Sequence, residues 1–223
     1  MSSARKKHPS AADEKARIRK ILARLEKVHA DAKLDLNFGN PLELLIALIL
    51  AAQARDDLVN KITVELFKKN RSAADYADTP PNQLESQIGK INFYRNKAKA
   101  IHNCCRQLIE RFGGKVPDNL PDLISLPGVG RKTANIVLGN AFGKSTIGVD
   151  THVMRLSQRL GFTSNTDPDK IEADLTALVS ARRRVRFCHL VQYHGRRICL
   201  AKKPRCPQCT VIDLCPFTPK TRT

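Results

Sequence analysis

The chain has no tryptophan, three tyrosines and eight phenylalanines in 223 residues. With aromatics at 5%, its core has to be assembled mostly from Leu, Ile, Val and Ala. Acidic side chains are scarce as well: 21 Asp and Glu stand against 39 Lys and Arg, a formal charge of +18. An imbalance of that size calls for a polyanionic partner, either nucleic acid or the anionic face of a membrane. No uncharged apolar run reaches the roughly 18 residues of a membrane-crossing helix, so no membrane span is expected. The N-terminus, MSSARKKHPSAADEK, lacks the apolar core of a secretory signal, and Asp13 and Glu14 argue against a mitochondrial address. An intracellular location follows as the expectation, cytoplasmic and nucleoid-associated in a bacterium. There the seven cysteines serve as thiols or metal ligands rather than disulfides.

Also missing is any sustained period-two pattern of the kind that builds sheet. The apolar spacing is helical almost throughout, so the expected fold class is all-α. Ile18, Ile21, Leu22, Leu25 and Val28 predict an amphipathic helix over about residues 12–29. NPLELLIALILAAQA, Asn40 to Ala54, opens with a cap residue and Pro41. It is apolar on nearly every face and reads as a buried central helix. Further stripes run through Ile101, Cys104 or Cys105, Leu108 and Phe112, stopped by Gly113 and Gly114, and through Ala134, Val137, Leu138 and Ala141. Val153, Leu156 and Leu160 follow Asp150; Ile171, Leu175 and Leu178 follow Asp167; Phe187, Leu190, Val191 and His194 line the last long helix.

Between Asp174 and Asp213 there is no acidic residue, but Arg182, Arg183, Arg184, Arg186, Arg196, Arg197, Lys202, Lys203 and Arg205 all occur. A solvated face is one reading; with the overall charge, phosphate binding is the better one. The same span leads into CLAKKPRCPQCTVIDLC, with the spacing Cys199-x6-Cys206-x2-Cys209-x5-Cys215. Four thiolates so close in sequence can converge on one metal centre, and spacing alone leans slightly towards zinc over an iron–sulfur cluster. With four protein sulfurs as ligands the centre has no open position, so its job is structural. LAKKPR between the first two ligands would form a rigid basic finger, placing Lys202, Lys203 and Arg205 at backbone phosphates. Cys104, Cys105 and Cys188 read as buried small hydrophobes.

LPGVGRKTAN, Leu126 to Asn135, is a helix-hairpin-helix turn. Leu123, Ile124 and Leu126 supply the apolar face of its first helix. Gly128 and Gly130 permit backbone conformations that a Cβ resists, with Val129 between them. The turn and the following helix start present N–H groups to a phosphate without reading sequence. Taken alone, Lys132 is a phosphate-binding or solvated lysine. In GVDTHVMRLSQRLG, Asp150 is an ordinary helix cap by default, yet one held in place and ionised by the helix dipole.

Together LPGVGRKTAN, VDTHV, AAQARDD and the cysteine spacing, in this order over roughly residues 15–217, resemble the endonuclease III family of helix-hairpin-helix DNA glycosylases. The resemblance implies a two-lobed all-α fold: a helical barrel lobe over about 35–144, with the hairpin near 120–139, and a cluster lobe over 145–223. The segment 1–34, a basic stretch and the first helix, would pack on the cluster lobe. It implies a 4Fe–4S cluster, not zinc, on Cys199, Cys206, Cys209 and Cys215 (residues 199–215). It implies a monomer acting on double-stranded DNA with damaged bases or abasic sites, without a membrane partner.

By that resemblance the chain excises oxidised pyrimidines and cleaves the strand through a lysine Schiff base. Lys132 would be the nucleophile, its neutral amine favoured by the helix start, Arg131 and partial burial; Asp150 would stabilise the sugar cation. Gln53 would fill the hole left by the flipped base, and Phe93 stands at a second intercalating position where the family commonly has Leu. Ala51 and Arg55 occupy positions where the family commonly has Ser and Thr, so Arg55, with Asp56 and His152, could border the pocket. A satisfied structural role suits His152 as well. Three other readings are a monofunctional adenine or thymine mismatch glycosylase, a non-catalytic DNA-binding hairpin module and a redox sensor using the cluster. The first usually lacks the lysine; the second needs no Lys132–Asp150 pair.

Overall fold

Side-chain caps, prolines and left-handed stops cut this chain into helices. Asn40 accepts from the Glu43 N–H and Pro41 follows at the first turn, so a helix starts there. Asn119, Asp150 and Asp167 cap three later helices in the same way. The computed structural model describes residues 11–222; the first ten residues, which hold the start of the basic N-terminal segment, and residue 223 lie outside the described residues. The helices are α1 Ala11–Val28, α2 Pro41–Ala51, α3 Asp56–Lys69, α4 Ala73–Asp78, α5 Pro81–Ile88 and α6 Tyr94–Phe112. They continue as α7 Leu120–Ile124, α8 Arg131–Ala141, α9 Thr151–Arg159, α10 Pro168–Leu178 and α11 Arg184–Arg197. Among the described residues there is no strand, and no helix is long and apolar enough to cross a membrane.

The chain divides into two compact units, one of Leu34–Gly148 and one of Met1–Lys33 with Val149–Thr223. In the first, α2 is the core: Leu44, Leu45, Ile46, Ala47 and Leu50 are fully buried against α3, α6 and α8. Each buried Leu or Ile of this kind stabilises by about 1.5–3 kcal/mol. Tyr76, Cys104 and Cys105 complete that core. Burial pushes the Cys104 thiol up to about 12, which keeps it a small inert hydrophobe. In the second unit, Ile18, Ile21, Leu22 and Leu25 of α1 are buried, as are Ile171, Leu175, Phe187, Leu190 and Val191 of α10 and α11. Arg17 of α1 donates to the carbonyls of Leu160 and Leu214, and Arg24 pairs with Asp213, so α1 is fastened to the cysteine-rich tail.

Three expectations are corrected. Val28 and Ile124 are each 45% exposed, outside the apolar faces assigned to them. The central helix stops at Ala51 rather than running to Ala54, because Gln53 takes a left-handed conformation that an α-helix cannot continue through. Finally, much of the arginine run is structural. Arg183 and Arg186 both grip Glu26, Arg184 donates to the Thr176 carbonyl, and Arg197 forms a two-bond fork on Asp31. Carboxylates from α1 and its following turn thus absorb charge that linear sequence shows as unopposed.

Candidate functional site

In the Leu34–Gly148 unit, α7 and α8 form the hairpin. Leu123 and Leu126 are buried, and the Val129 N–H donates to the Leu126 carbonyl to close the turn. Gly128 has φ +79°, and a Cβ there would lie 3.0 Å from the Ala100 Cβ, so glycine is required twice over. Gly130 departs from expectation. As cap of α8 it has φ −88°, which any residue adopts, and a Cβ would meet nothing within 4 Å. With no side chain it offers no cap hydrogen bond, leaving the start of α8 open to an anion. Lys132, in the first turn of α8, is exposed rather than partly buried.

Two loops of the same unit carry the expected intercalating residues. Gln53 follows α2 with φ +54° and Phe93 caps α6 with φ +59°, the two positive-φ residues other than glycine among the described residues. For an aromatic side chain this conformation is an outlier, of the kind that gathers at functional sites. Both side chains are exposed, Phe93 at 60%. The Asn92 amide donates to the Gln53 carbonyl at 3.5 Å, which brings the loops together. Arg55 is exposed and folded onto Asp57 through bonds of 2.9 and 2.8 Å. Its guanidinium holds the Asp57 carboxyl below the usual carboxylate range. Asp56, the first residue of α3, is half-buried.

In the other unit, Asp150 caps α9. One carboxylate oxygen accepts from the Val153 N–H at 2.7 Å and the other from the Gln192 side-chain amide at 3.0 Å. Gln192 escaped the sequence reading because periodicity marks only the apolar positions of α11. His152 sits within 3.2 Å of Arg155, whose guanidinium also donates to the carbonyls of Gly195 and Cys199 at 3.0 Å. These bonds tie α9 to the end of α11 and to Cys199.

Cys199, Cys206, Cys209 and Cys215 line a single concavity, with Leu160, Ile198, Ile212 and Phe217 in its apolar wall. Among the described residues no three His, Cys, Asp or Glu side chains stand close enough to share a single ion. Four thiols around one concavity form a donor set that can hold a metal centre. Arg159 donates to the Cys199 sulfur at 3.4 Å, and His194 lies 3.4 Å from the Cys209 sulfur with His29 behind it. Burial, with His29 adjacent, pulls His194 down to about 4, so it is neutral. The finger between the first two cysteines is pinned at its base. Arg159 donates to the Leu200 and Ala201 carbonyls, and the Arg205 N–H donates to that of Ile198. Lys202, Lys203 and Arg205 project from it, exposed.

A family model, the HhH-GPD superfamily of base excision DNA repair proteins, matches residues 46–181. Endonuclease III of Synechocystis sp. (strain PCC 6803) is 45% identical over 206 residues, covering 92% of this chain and 94% of the relative. Endonuclease III of Escherichia coli K12 is 41% identical over 92% of this chain and 98% of its own. A solved structure of a trapped covalent intermediate between endonuclease III and DNA superposes with a TM-score of 0.86 at 43% identity, covering 91% of this chain and 95% of that one. The chain belongs to the HhH-GPD superfamily of base excision DNA repair proteins, within its endonuclease III family.

Proposed function

We propose that the chain is a bifunctional DNA glycosylase and AP lyase that removes oxidised pyrimidines from duplex DNA. The observation that carries this reading is Lys132: an exposed amine in the first turn of a helix whose N-terminus has no side-chain cap, directly after the phosphate-gripping turn. A lysine at that place can be brought to a sugar by the phosphate the turn holds.

The target base leaves the stack at a cost that damage lowers, since damaged bases stack and pair poorly. Gln53 and Phe93, exposed on loops of fixed conformation, fill the gap. As the N-glycosidic bond lengthens, positive charge develops on the sugar, and the Asp150 carboxylate stabilises it. The Lys132 Nζ bonds to the anomeric carbon and the base departs with the bonding pair. Ring opening turns the resulting aminal into an imine. The imine acidifies the 2′ position; loss of that proton expels the 3′ phosphate and cuts the strand. A glycosylase lacking the nucleophilic lysine would stop after base release.

Cys199, Cys206, Cys209 and Cys215 would hold a 4Fe–4S cluster, a reading supported by the shared concavity and the all-thiol donor set. When bound it supplies a cross-link that fastens the tail and the basic finger. Purified protein is expected to be yellow-brown, with close to four irons per chain, about the content of one such cluster. A colourless, zinc-loaded protein from anaerobic purification would refute it.

Borohydride trapping tests the main reading. With a lesion-bearing duplex, the wild-type chain is expected to give a covalent adduct. Lys132→Ala is expected to give none while binding the duplex nearly as well, because the grip comes from backbone N–H groups. Full trapping by the alanine variant would overturn the assignment.

A further inference from the structure

Among the described residues, Lys97 is the one Lys, Arg, Asp or Glu that is buried, at 7% exposure. Sinking an ammonium into a protein interior is costly unless it is well partnered, and burial lowers its pKa. Among the described residues no carboxylate accepts from it. Instead its Nζ donates to the Leu50 carbonyl at 2.8 Å and the Ala52 carbonyl at 2.5 Å. These are among the last carbonyls of α2, the negative end of a helix that has no basic residue of its own in its final turn. The residue after Ala52 is Gln53.

Lys97 lies on α6 one turn after Phe93, and its backbone N–H donates to the Phe93 carbonyl at 3.1 Å. Its side chain therefore holds the end of the first loop from the helix whose first turn begins at Phe93 in the second loop. A non-glycine residue in the left-handed region costs about 1–2 kcal/mol and persists only where its surroundings impose it. Here two such residues flank Lys97's contacts in the chain: Gln53 follows the Ala52 carbonyl that accepts from Nζ, and Phe93 precedes Lys97 by one helical turn.

We infer that Lys97 is a positioning residue that locks the Gln53 and Phe93 loops together, so that both side chains enter the stack in one fixed arrangement around a displaced nucleotide. This rests on the reading of Gln53 and Phe93 as intercalating residues. Pairing two wedges through one clamp moves their ordering cost from the moment of binding to the folding of the protein.

The test compares affinity for a duplex carrying a tetrahydrofuran abasic analogue with affinity for the intact duplex. Lys97→Met is expected to weaken binding to the abasic duplex roughly tenfold, the scale of one lost hydrogen bond to a charged group. Binding to the intact duplex depends on phosphate contacts and is expected to be unchanged. In a Gln53→Ala, Phe93→Ala background the same substitution is expected to cost less than about twofold, since coupled residues do not add. Amide hydrogen exchange in the free holoprotein is expected to quicken at residues 50–55 and 91–95. Equal losses on both duplexes, or an undiminished loss in the double-alanine background, would overturn the proposal. If Gln53→Ala and Phe93→Ala themselves leave the abasic preference intact, intercalation fails and exchange alone decides the clamp: faster exchange supports it and unchanged exchange overturns it. Lys97→Gln, which keeps one amide donor, carries the same comparisons if Lys97→Met does not fold.

Discussion

Asp150 is a structural cap that, in the proposed function, also supplies the charge that stabilises the sugar cation. The Val153 N–H and the Gln192 amide each take one of its oxygens, which fixes the carboxylate plane while leaving lone pairs on both. Asp150→Asn keeps the size and a cap oxygen but removes the charge. Its expected effect is a fall of about 100-fold or more in base excision, the scale of losing one preorganised electrostatic group. A much smaller fall is expected on a preformed abasic site, where no glycosidic bond remains to be ionised. Single-turnover rates on both substrates check this, and equal losses would place Asp150 in the fold or at the lysine instead. The exposure of Lys132 fits the same division of labour: an amine at the surface stays available until DNA covers it.

At the scale of elements, the hairpin works because its two glycines do different things. Gly128 is required by its own backbone and by Ala100, whose Cβ a side chain there would approach to 3.0 Å. Gly130 is required by neither; in the proposed function its bare Cα leaves room for a phosphate. Gly128→Ala is expected to destabilise the chain by about 1–3 kcal/mol, from left-handed strain and the clash together. Gly130→Ala is expected to leave the melting temperature within error yet weaken duplex binding, because a methyl group would hold the phosphate off the start of α8. Thermal melts paired with binding isotherms for the two variants separate these effects. A Gly130→Ala variant that binds normally would show that no backbone comes close there.

For the whole molecule the charge of +18 sets affinity, but only through the cations that remain available. Glu26 and Asp31 occupy Arg183, Arg186 and Arg197, whereas the finger presents Lys202 and Lys203 exposed. Replacing both lysines with alanine is expected to weaken binding to every duplex alike. It should also flatten the dependence of log affinity on log salt by roughly one to two units. Binding measured across a salt series reads this directly, and an unchanged slope would put the finger away from DNA.

Read alone, the sequence determined the all-α class, the helices with clear apolar stripes, the hairpin, and the grouping of four cysteines. All of these follow from local rules: the period of burial, the capping power of Asn and Asp, the conformational range of glycine, and the reach of closely spaced thiols. Its assignment to Lys132, Asp150, Gln53 and Phe93 came through whole motifs, since none of the four stands out as an isolated residue. Only the tertiary structure decided which arginines are already paired, because Glu26 and Asp31 lie more than 150 residues before their partners. It alone revealed Gln192 behind Asp150 and Lys97 beneath the Gln53 turn, polar residues on helices whose periodicity records only what is apolar. It also reversed the expectation for Gly130 and Ile124, since whether a backbone is strained or a side chain covered depends on neighbours remote in sequence.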